Sequence, residues 1–401
     1  PPAEGGNALR LPKGVPMKYG CVTSLKTIRD YLQDATVVAF DFETAPLPQY
    51  RSDPKASLDA HHAHIAGISL PVDEGSAIYI PLRHLGGGNA DPDQVIPFMK
   101  DLLWMNPAIV KVAHNLSFES MFLYALGIVL QPPCYDTIAA AQMTLKSTFA
   151  FRTISDSGLK TLVPELLGEV LPSFEDVTAG RFFDKLDAHD PETVRYACSD
   201  ADYALRLYHR FNQWFDAFLP RHRFIVEEVE SPTAVYCGLM KYNGMLVDET
   251  AMIRKQGEAC AQLISLQEKI RSLIGKTKAE RSECWSSEER VEPSTGAEHR
   301  ASKVQAGAEV DIGANAGTKA FKDYLFKDLG LPVLRTTARN AEAADDQTLV
   351  MLAEWCAAHR PELVPLFDLV QDYRRWSKLK SVYIDGYLRF VNPATGRIHP
   401  D

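Results

Sequence analysis

From about residue 21 to 215 this chain alternates strand-length apolar runs with helix-length amphipathic ones, and after Leu219-Pro220 the strands cease. Such alternation demands a sheet with helices packed on it, because each sheet face and each helix stripe must bury its apolar side. The sequence predicts strands over 36–42, 64–70, 76–81 and 109–113, helices over 91–104 and from about Ser117 to Gly127, and a long helix over 191–218. Beyond the Leu-Pro break the pattern is helical. It covers 221–242 with a kink at Pro232, a helix capped by Asp248 and stopped by Gly275, then 319–329 and 346–379. The expected organisation is a flexible N-terminal segment 1–20, an α/β domain 21–220 and a helical region 221–401. Within the last, a polar insert at about 276–308 loses apolar periodicity.

Composition excludes several classes. No apolar run is long enough to span a membrane, and the Pro/Gly-rich start lacks a signal-peptide core. Position 1 is not Met, which suggests a processed chain or a piece of a longer product. Seven cysteines never fall as Cys-x-x-Cys, so neither a zinc nor a disulfide framework is expected and a reducing, cytoplasmic setting is. The net charge of −9 argues against a wholly basic nucleic-acid coat but leaves room for a local basic groove.

Three acidic constellations carry the chemistry. The strand ending Asp41-Phe42-Glu43-Thr44 puts Asp41 and Glu43 on one face, since side chains two apart share a face. Two adjacent carboxylates repel, and a divalent cation would relieve them. The second constellation, His114-Asn115-Leu116-Ser117-Phe118-Glu119, lies at a strand-to-helix junction with Glu119 in the first turn, where the helix dipole alone also favours an anion. In the third, Tyr196 and Asp200 are four apart on one helix face, whereas Asp202 points away from Asp200. Carboxylates of this kind suit Mg²⁺ or Mn²⁺, which activate water for phosphoryl displacement. His61-His62-Ala63-His64 is read as a loop rather than a zinc site, because adjacent residues diverge and no Cys stands at ligand spacing.

In this order and spacing the three segments resemble the three motifs of the DEDDy 3′–5′ proofreading exonucleases found in family A DNA polymerases, bacterial DNA polymerase I and phage enzymes among them. Tyr79-Ile80-Pro81-Leu82 and Tyr135-Asp136-Thr137 resemble further stretches of that family. The likeness continues into the polymerase thumb: residues 228–248, 321–333 and 373–381, then Asn392-Pro393 and Gly396-Arg397-Ile398-His399. It covers about 30 to 399 apart from the insert.

The resemblance implies a ribonuclease H-like exonuclease fold, a mixed sheet flanked by helices, followed by a mostly α-helical thumb-like region. It implies two divalent cations. Asp41, Glu43 and Asp200 would hold one, Asp41 and Glu119 the other, and Tyr196 would orient the attacking water. Phe42, Thr44, Asn115, Leu116 and Phe118 become candidate contacts for a single-stranded DNA 3′ end, with Asp136 a supporting carboxylate; Phe42, Leu116 and Phe118 equally suit the core, Phe42 above all, and Asn115 equally suits a helix N-cap. Arg374, Lys378 and Lys380 become candidate contacts for a primer-template duplex. A separate or downstream palm and fingers would be the protein partner, and a bacterial or phage-infected cell the setting.

Two departures from the family stand out. Glu119 replaces the usual Asp and carries the carboxylate about 1.5 Å further. The chain also stops at Asp401, where the family enters the palm, so no polymerase active site is expected in it. Two other readings compete with the nuclease: a catalytically weakened module that binds DNA or a polymerase partner, and a ribonuclease D-like exoribonuclease.

Overall fold

The computed structural model of the protein describes residues 18–53, 55–147, 156–282, 319–337 and 340–400. The expected flexible residues 1–17 and the insert from 283 to 308 lie outside them. Two compact units divide the chain, one reaching to Gly244 and the other spanning Met245–Ile398. In chain order the first contains β1 (Lys18–Cys21), α1 (Leu25–Leu32), β2 (Val37–Ala39), β3 (Asp41–Pro46), β4 (Ala63–Asp73), β5 (Ser76–Pro81), α2 (Pro92–Met99), β6 (Val110–Ala113) and α3 (Leu116–Ala125). It continues with β7 (Cys134–Asp136), α4 (Thr137–Ser147), α5 (Leu159–Leu167), α6 (Phe174–Thr178), α7 (Pro191–Phe218), α8 (Pro220–Phe224) and α9 (Ser231–Asn243).

β3, β4 and β5 pair antiparallel, and β1 joins β5 in parallel, giving the order β1-β5-β4-β3. Lys18–Gly20, read from the sequence as the end of a flexible segment, are thus strand residues. β2, β6 and β7 form a parallel three-stranded sheet. The single strand expected over 36–42 is interrupted at Phe40, whose N–H donates to the Val112 carbonyl at 2.9 Å and joins the two sheets. Val38, Ala39 and Phe40 are all fully buried, because helices cover both faces of this mixed sheet. One core gathers Val38, Phe40, Phe42, Ile68, Trp104 and Phe122. A second gathers Ala39, Val112, Tyr135, Leu162, Leu205 and Phe211, under α7, which touches β1 through β6, and a third gathers Tyr79, Phe183, Leu186 and Tyr196. This is the mixed α/β architecture the sequence pattern called for, with a helical region after it.

The second unit holds β8 (Met245–Leu246), α10 (Glu249–Ser282), α11 (Lys319–Asp323), α12 (Asp346–His359), α13 (Val364–Lys378), α14 (Asp385–Phe390), β9 (Val391–Asn392) and β10 (Arg397–Ile398). Its core is built from Ile270, Phe321, Leu325, Leu349, Leu352, Phe367 and Val370. Asp248 accepts the Ala251 N–H at 2.9 Å, as expected of the residue ahead of α10. Gly275 does not stop that helix, which runs on to Ser282. One interior glycine costs a helix only about 1 kcal/mol, less than the packing of Ile270 and Ile274 returns. The helix expected over 346–379 breaks instead at Arg360, which is extended ahead of Pro361 because the proline ring disfavours a helical residue before it. Among the described residues no helix is long and apolar enough to cross a membrane.

Candidate active site

β3 places Asp41 opposite Ser69 and Glu43 opposite Gly67 on the neighbouring strand. Between them Phe42 turns to the other face, 4 % exposed and edge-on to Phe40 and Trp104 at 5.6 and 5.9 Å. Phe42 is therefore a core residue, the first of the two placements open to it, and not a DNA contact. Thr44 is tied locally, its hydroxyl donating to the Ser57 carbonyl at 2.7 Å.

The second segment leaves β6 through Asn115, held in the left-handed region at φ 76°, and enters α3. Asp136 at the end of β7 fixes this turn. Its carboxylate accepts the N–H groups of Asn115 at 3.2 Å, Leu116 at 3.1 Å and Ile138 at 2.8 Å. The Asn115 side chain does not cap α3; its Oδ1 accepts the Ser117 hydroxyl at 2.9 Å. Leu116 is fully buried, so it too belongs to the core rather than to a DNA surface. Phe118 is half-buried against Phe122 at 4.9 Å. One residue on, Glu119 is 1 % exposed, and its Oε2 has no hydrogen-bond partner. From the other side α9 presses on α3 at Gly238, where an added Cβ would stand 2.5 Å from the Ser117 carbonyl.

α7 supplies the third segment. Tyr196 is buried, and Asp200 one turn on is among the charges that act on its phenol. Asp202 faces away, as its spacing requires, accepting Tyr19 at 2.8 Å and Arg206 at 2.8 Å.

The charges show which of these groups share a field. Burial, and then the Asp200 carboxylate, push Asp41 up to about 7. Burial followed by Asp41 and Asp200 raises Glu43 well above the carboxylate range, and burial followed by Asp41 does the same to Glu119. Asp200 is raised by burial against the opposing pull of Lys160. Asp41 is therefore the common neighbour of Glu43, Asp200 and Glu119. Burial and these carboxylates hold the Tyr196 phenol protonated far above neutrality. His114 is pushed down to about 4 by burial and by Lys160, and is neutral at pH 7.

A cation fits this donor set chemically. Oxygen ligands suit Mg²⁺ and Mn²⁺, and a buried carboxylate with an unpartnered oxygen, as at Glu119, asks for a positive charge. Among the described residues, however, no three His, Cys, Asp or Glu side chains converge into a finished metal cluster. Among the described residues, Lys160 on α5 brings a positive charge to this group, its ammonium forming an ion pair with Asp200.

Sequence reasoning missed that lysine, since nothing in Leu159-Lys160-Thr161 distinguishes it from a solvated helix residue. It also missed Asp184, a fully buried carboxylate paired with Arg51 and 3.8 Å from His64. His61 stacks on Tyr242 at 4.2 Å, while His62 lies against Tyr50 at 4.0 Å, so the three histidine rings face different partners.

In the second unit the candidate duplex contacts differ in availability. Arg374 is 9 % exposed, donates to Asp346 at 2.8 Å and to the Ala344 carbonyl at 2.9 Å, and covers the Phe321 ring. That arginine ties α13 to the start of α12 and corrects its reading as a free phosphate contact. Lys380 pairs with Asp385 at 2.6 Å, whereas Lys378 is exposed.

Comparison with known proteins agrees with this layout. Residues 21–215 match the family model for 3′–5′ exonuclease, and residues 286–401 match the model for DNA polymerase family A. DNA polymerase I of Pseudomonas aeruginosa is 29 % identical over 378 residues, covering 92 % of this chain and 34 % of its own length. DNA polymerase I of Chloroflexus aurantiacus is 26 % identical, covering 94 % of this chain and 34 % of its own length. The chain thus spans about a third of the length of these relatives. A solved structure, the POL domain of Pol1 from M. smegmatis in complex with DNA primer-template and dNTP, shares the fold at a TM-score of 0.64 and 17 % identity, covering 95 % of this chain and 52 % of that one. Residues 21–215 are a 3′–5′ exonuclease domain, and the chain belongs with the DNA polymerase I-like members of polymerase family A.

Proposed function

We propose that the chain hydrolyses DNA from the 3′ end and releases nucleoside 5′-monophosphates, the proofreading reaction of a replication polymerase. The observation that carries this is the field shared by half-buried Asp41 and Asp200 and buried Glu43 and Glu119, carboxylates from three elements, in which Asp200 raises Asp41, and Asp41 raises Glu43 and Glu119. Asp41, Glu43 and Asp200 would hold one divalent cation, and Asp41 with Glu119 a second. Bound there, Mg²⁺ or Mn²⁺ polarises a phosphate and lowers the pKa of a water. The Tyr196 hydroxyl, kept protonated, would orient that water by hydrogen bonding. Asp136 keeps the Asn115–Leu116 backbone fixed, so Glu119 meets the substrate from a rigid turn. The longer Glu119 side chain would reach the second cation through an intervening water, an arrangement that would tolerate the added methylene.

A single-stranded 3′ end is the substrate in the first unit, with half-buried Phe118 the remaining apolar contact of the second segment. Lys378 is the phosphate contact retained for duplex in the second unit, and the setting is the cytoplasm of a bacterial or phage-infected cell. One observation favours a second reading, a DNA- or partner-binding module: the Lys160–Asp200 ion pair already neutralises a carboxylate that catalysis would need.

Degradation of a 5′-labelled single strand in Mg²⁺ or Mn²⁺, against EDTA and Asp41→Ala, separates the two. A ladder shortening from the 3′ end, lost in the variant, is the expected result. No cleavage by the folded protein with either ion would sink the nuclease reading. The same strand made of RNA tests the exoribonuclease alternative.

A further inference from the structure

Among the described residues, a cation that meets the carboxylate cluster is part of the protein, the Lys160 ammonium paired with Asp200. Lys160 stands at the start of α5, whose Leu159, Leu162 and Val163 lie one turn apart and bury in the core shared with Ala204, Leu205 and Leu207 of α7. Asp156 fixes the beginning of that helix, accepting the Gly158 N–H at 3.0 Å and the Thr161 hydroxyl at 2.9 Å. The helix therefore cannot rotate, and the lysine stem is delivered beside α7. Its ammonium contacts the Asp200 carboxylate and lies 5.0 Å from the centre of the Tyr196 ring, so it touches both members of the third segment. For Asp41, Glu43 and Asp200 alike, the opposing positive charge comes from this one side chain.

We propose that Lys160 is a tethered counter-cation: it neutralises Asp200 while no divalent ion is bound, and it must leave that carboxylate for the ion to load. The inference rests on the metal-dependent reading above. Its physical basis is mutual exclusion, because a carboxylate oxygen engaged by an ammonium is not free to ligate, and two cations at one oxygen repel. The side chain can leave, since it is 40 % exposed and on a flexible four-carbon stem. The ion's apparent affinity is then lowered by the fraction of molecules in which Lys160 holds Asp200. Lys160 is thus a positioning residue, acting on Asp200 rather than on the substrate.

The test is direct Mn²⁺ binding to the full chain without DNA, read from the electron paramagnetic resonance of free Mn²⁺, for the wild type, Lys160→Met, Lys160→Arg and Asp41→Ala. Lys160→Met is expected to bind about ten-fold tighter and Lys160→Arg to stay within about two-fold of wild type. A lysine that merely held the fold would give the opposite sign, since its loss would loosen the site. Affinity unchanged or weakened in a Lys160→Met variant with native circular dichroism overturns the proposal.

A second readout needs no variant. Acylation of Lys160 in the wild type, followed by peptide mass spectrometry, is expected to be several-fold faster with saturating Mn²⁺ than in EDTA. Equal rates with the ion demonstrably bound would also overturn it. If wild type and Asp41→Ala bind Mn²⁺ equally weakly, the metal reading itself falls and the competition with it. If binding depends on Asp41 but ignores Lys160, only the present inference fails.

Discussion

Gly238 of α9 rests directly on the backbone of Ser117 in the first turn of α3, so closely that an added Cβ would stand 2.5 Å from the Ser117 carbonyl and 2.9 Å from the Met121 nitrogen. Neither atom can swing aside as a side-chain tip could. Gly238→Val is therefore expected to lower stability by about 1–3 kcal/mol through overpacking, although valine is the better helix former. Because α3 also carries Glu119, nuclease activity should fall further than stability does. Urea unfolding followed beside strand degradation checks this; an unchanged midpoint with full activity would show that the two helices separate freely.

Asp41 is the common neighbour of three other carboxylates, buried Glu43 and Glu119 and half-buried Asp200. Asp41→Asn should abolish cleavage yet raise the EDTA melting temperature at pH 7.5, since it removes a repelled charge at a cost of one neutral amide. A gain of about 1–2 kcal/mol is expected. A melting temperature lower than wild type would show that the carboxylates are not repelling one another.

The same charges set a pH dependence. Asp41 is raised to about 7, and Glu43, Glu119 and Asp200 move in the same direction. Between the usual carboxylate range near 4 and about 7 the folded chain binds more protons than the unfolded one, so this contribution falls as pH rises. Buried His84 and half-buried His64 and His114 are lowered by desolvation and act with the opposite sign below about 6.5. The carboxylate part is therefore the difference between wild type and Asp41→Asn. In EDTA the wild type should lose ground to the variant from pH 5.5 to 7.5, and Mn²⁺ should restore it at pH 7.5. Parallel melting curves across that range would refute the assignment.

In the helical unit, Arg374 joins Asp346, the Ala344 carbonyl and the Phe321 ring. Arg374→Ala should destabilise that unit by about 1–3 kcal/mol, with Arg374→Lys recovering only part. Exposed Lys378 should behave in reverse: Lys378→Ala leaves the melting temperature unchanged and weakens duplex binding most at low salt. Fluorescence anisotropy at two salt concentrations, with a melting curve, distinguishes them. Equal destabilisation by both alanines would remove the contrast.

Where the sequence was readable, local period and tertiary placement coincide. The two-residue repeat put Asp41 and Glu43 together, and the four-residue spacing put Tyr196 beside Asp200. Phe42 and Leu116 were harder, because a motif's apolar residues face the core or the substrate according to which side a second layer covers, and that layer is distant in sequence. β1 escaped notice because its register comes from β5, at Lys18↔Ser76, rather than from any alternation of its own. Gly275 misled because a weak local penalty yields to packing. Arg374 and Lys160 carry charges whose partners lie 28 and 40 residues away, at separations where no periodicity operates.

Asp136 carries a consequence for anyone who would transplant this site. One residue at the end of β7 holds three elements: its carboxylate holds the turn before α3 and the start of α4, and its backbone N–H, donating to the Ser231 hydroxyl at 2.9 Å, holds the start of α9. The segment around Glu119 is therefore not a portable cassette. Grafted without Asp136 and Ser231 it would bring the acid but not the frame that aims it, and a scaffold designer would have to copy the knot before copying the ligand.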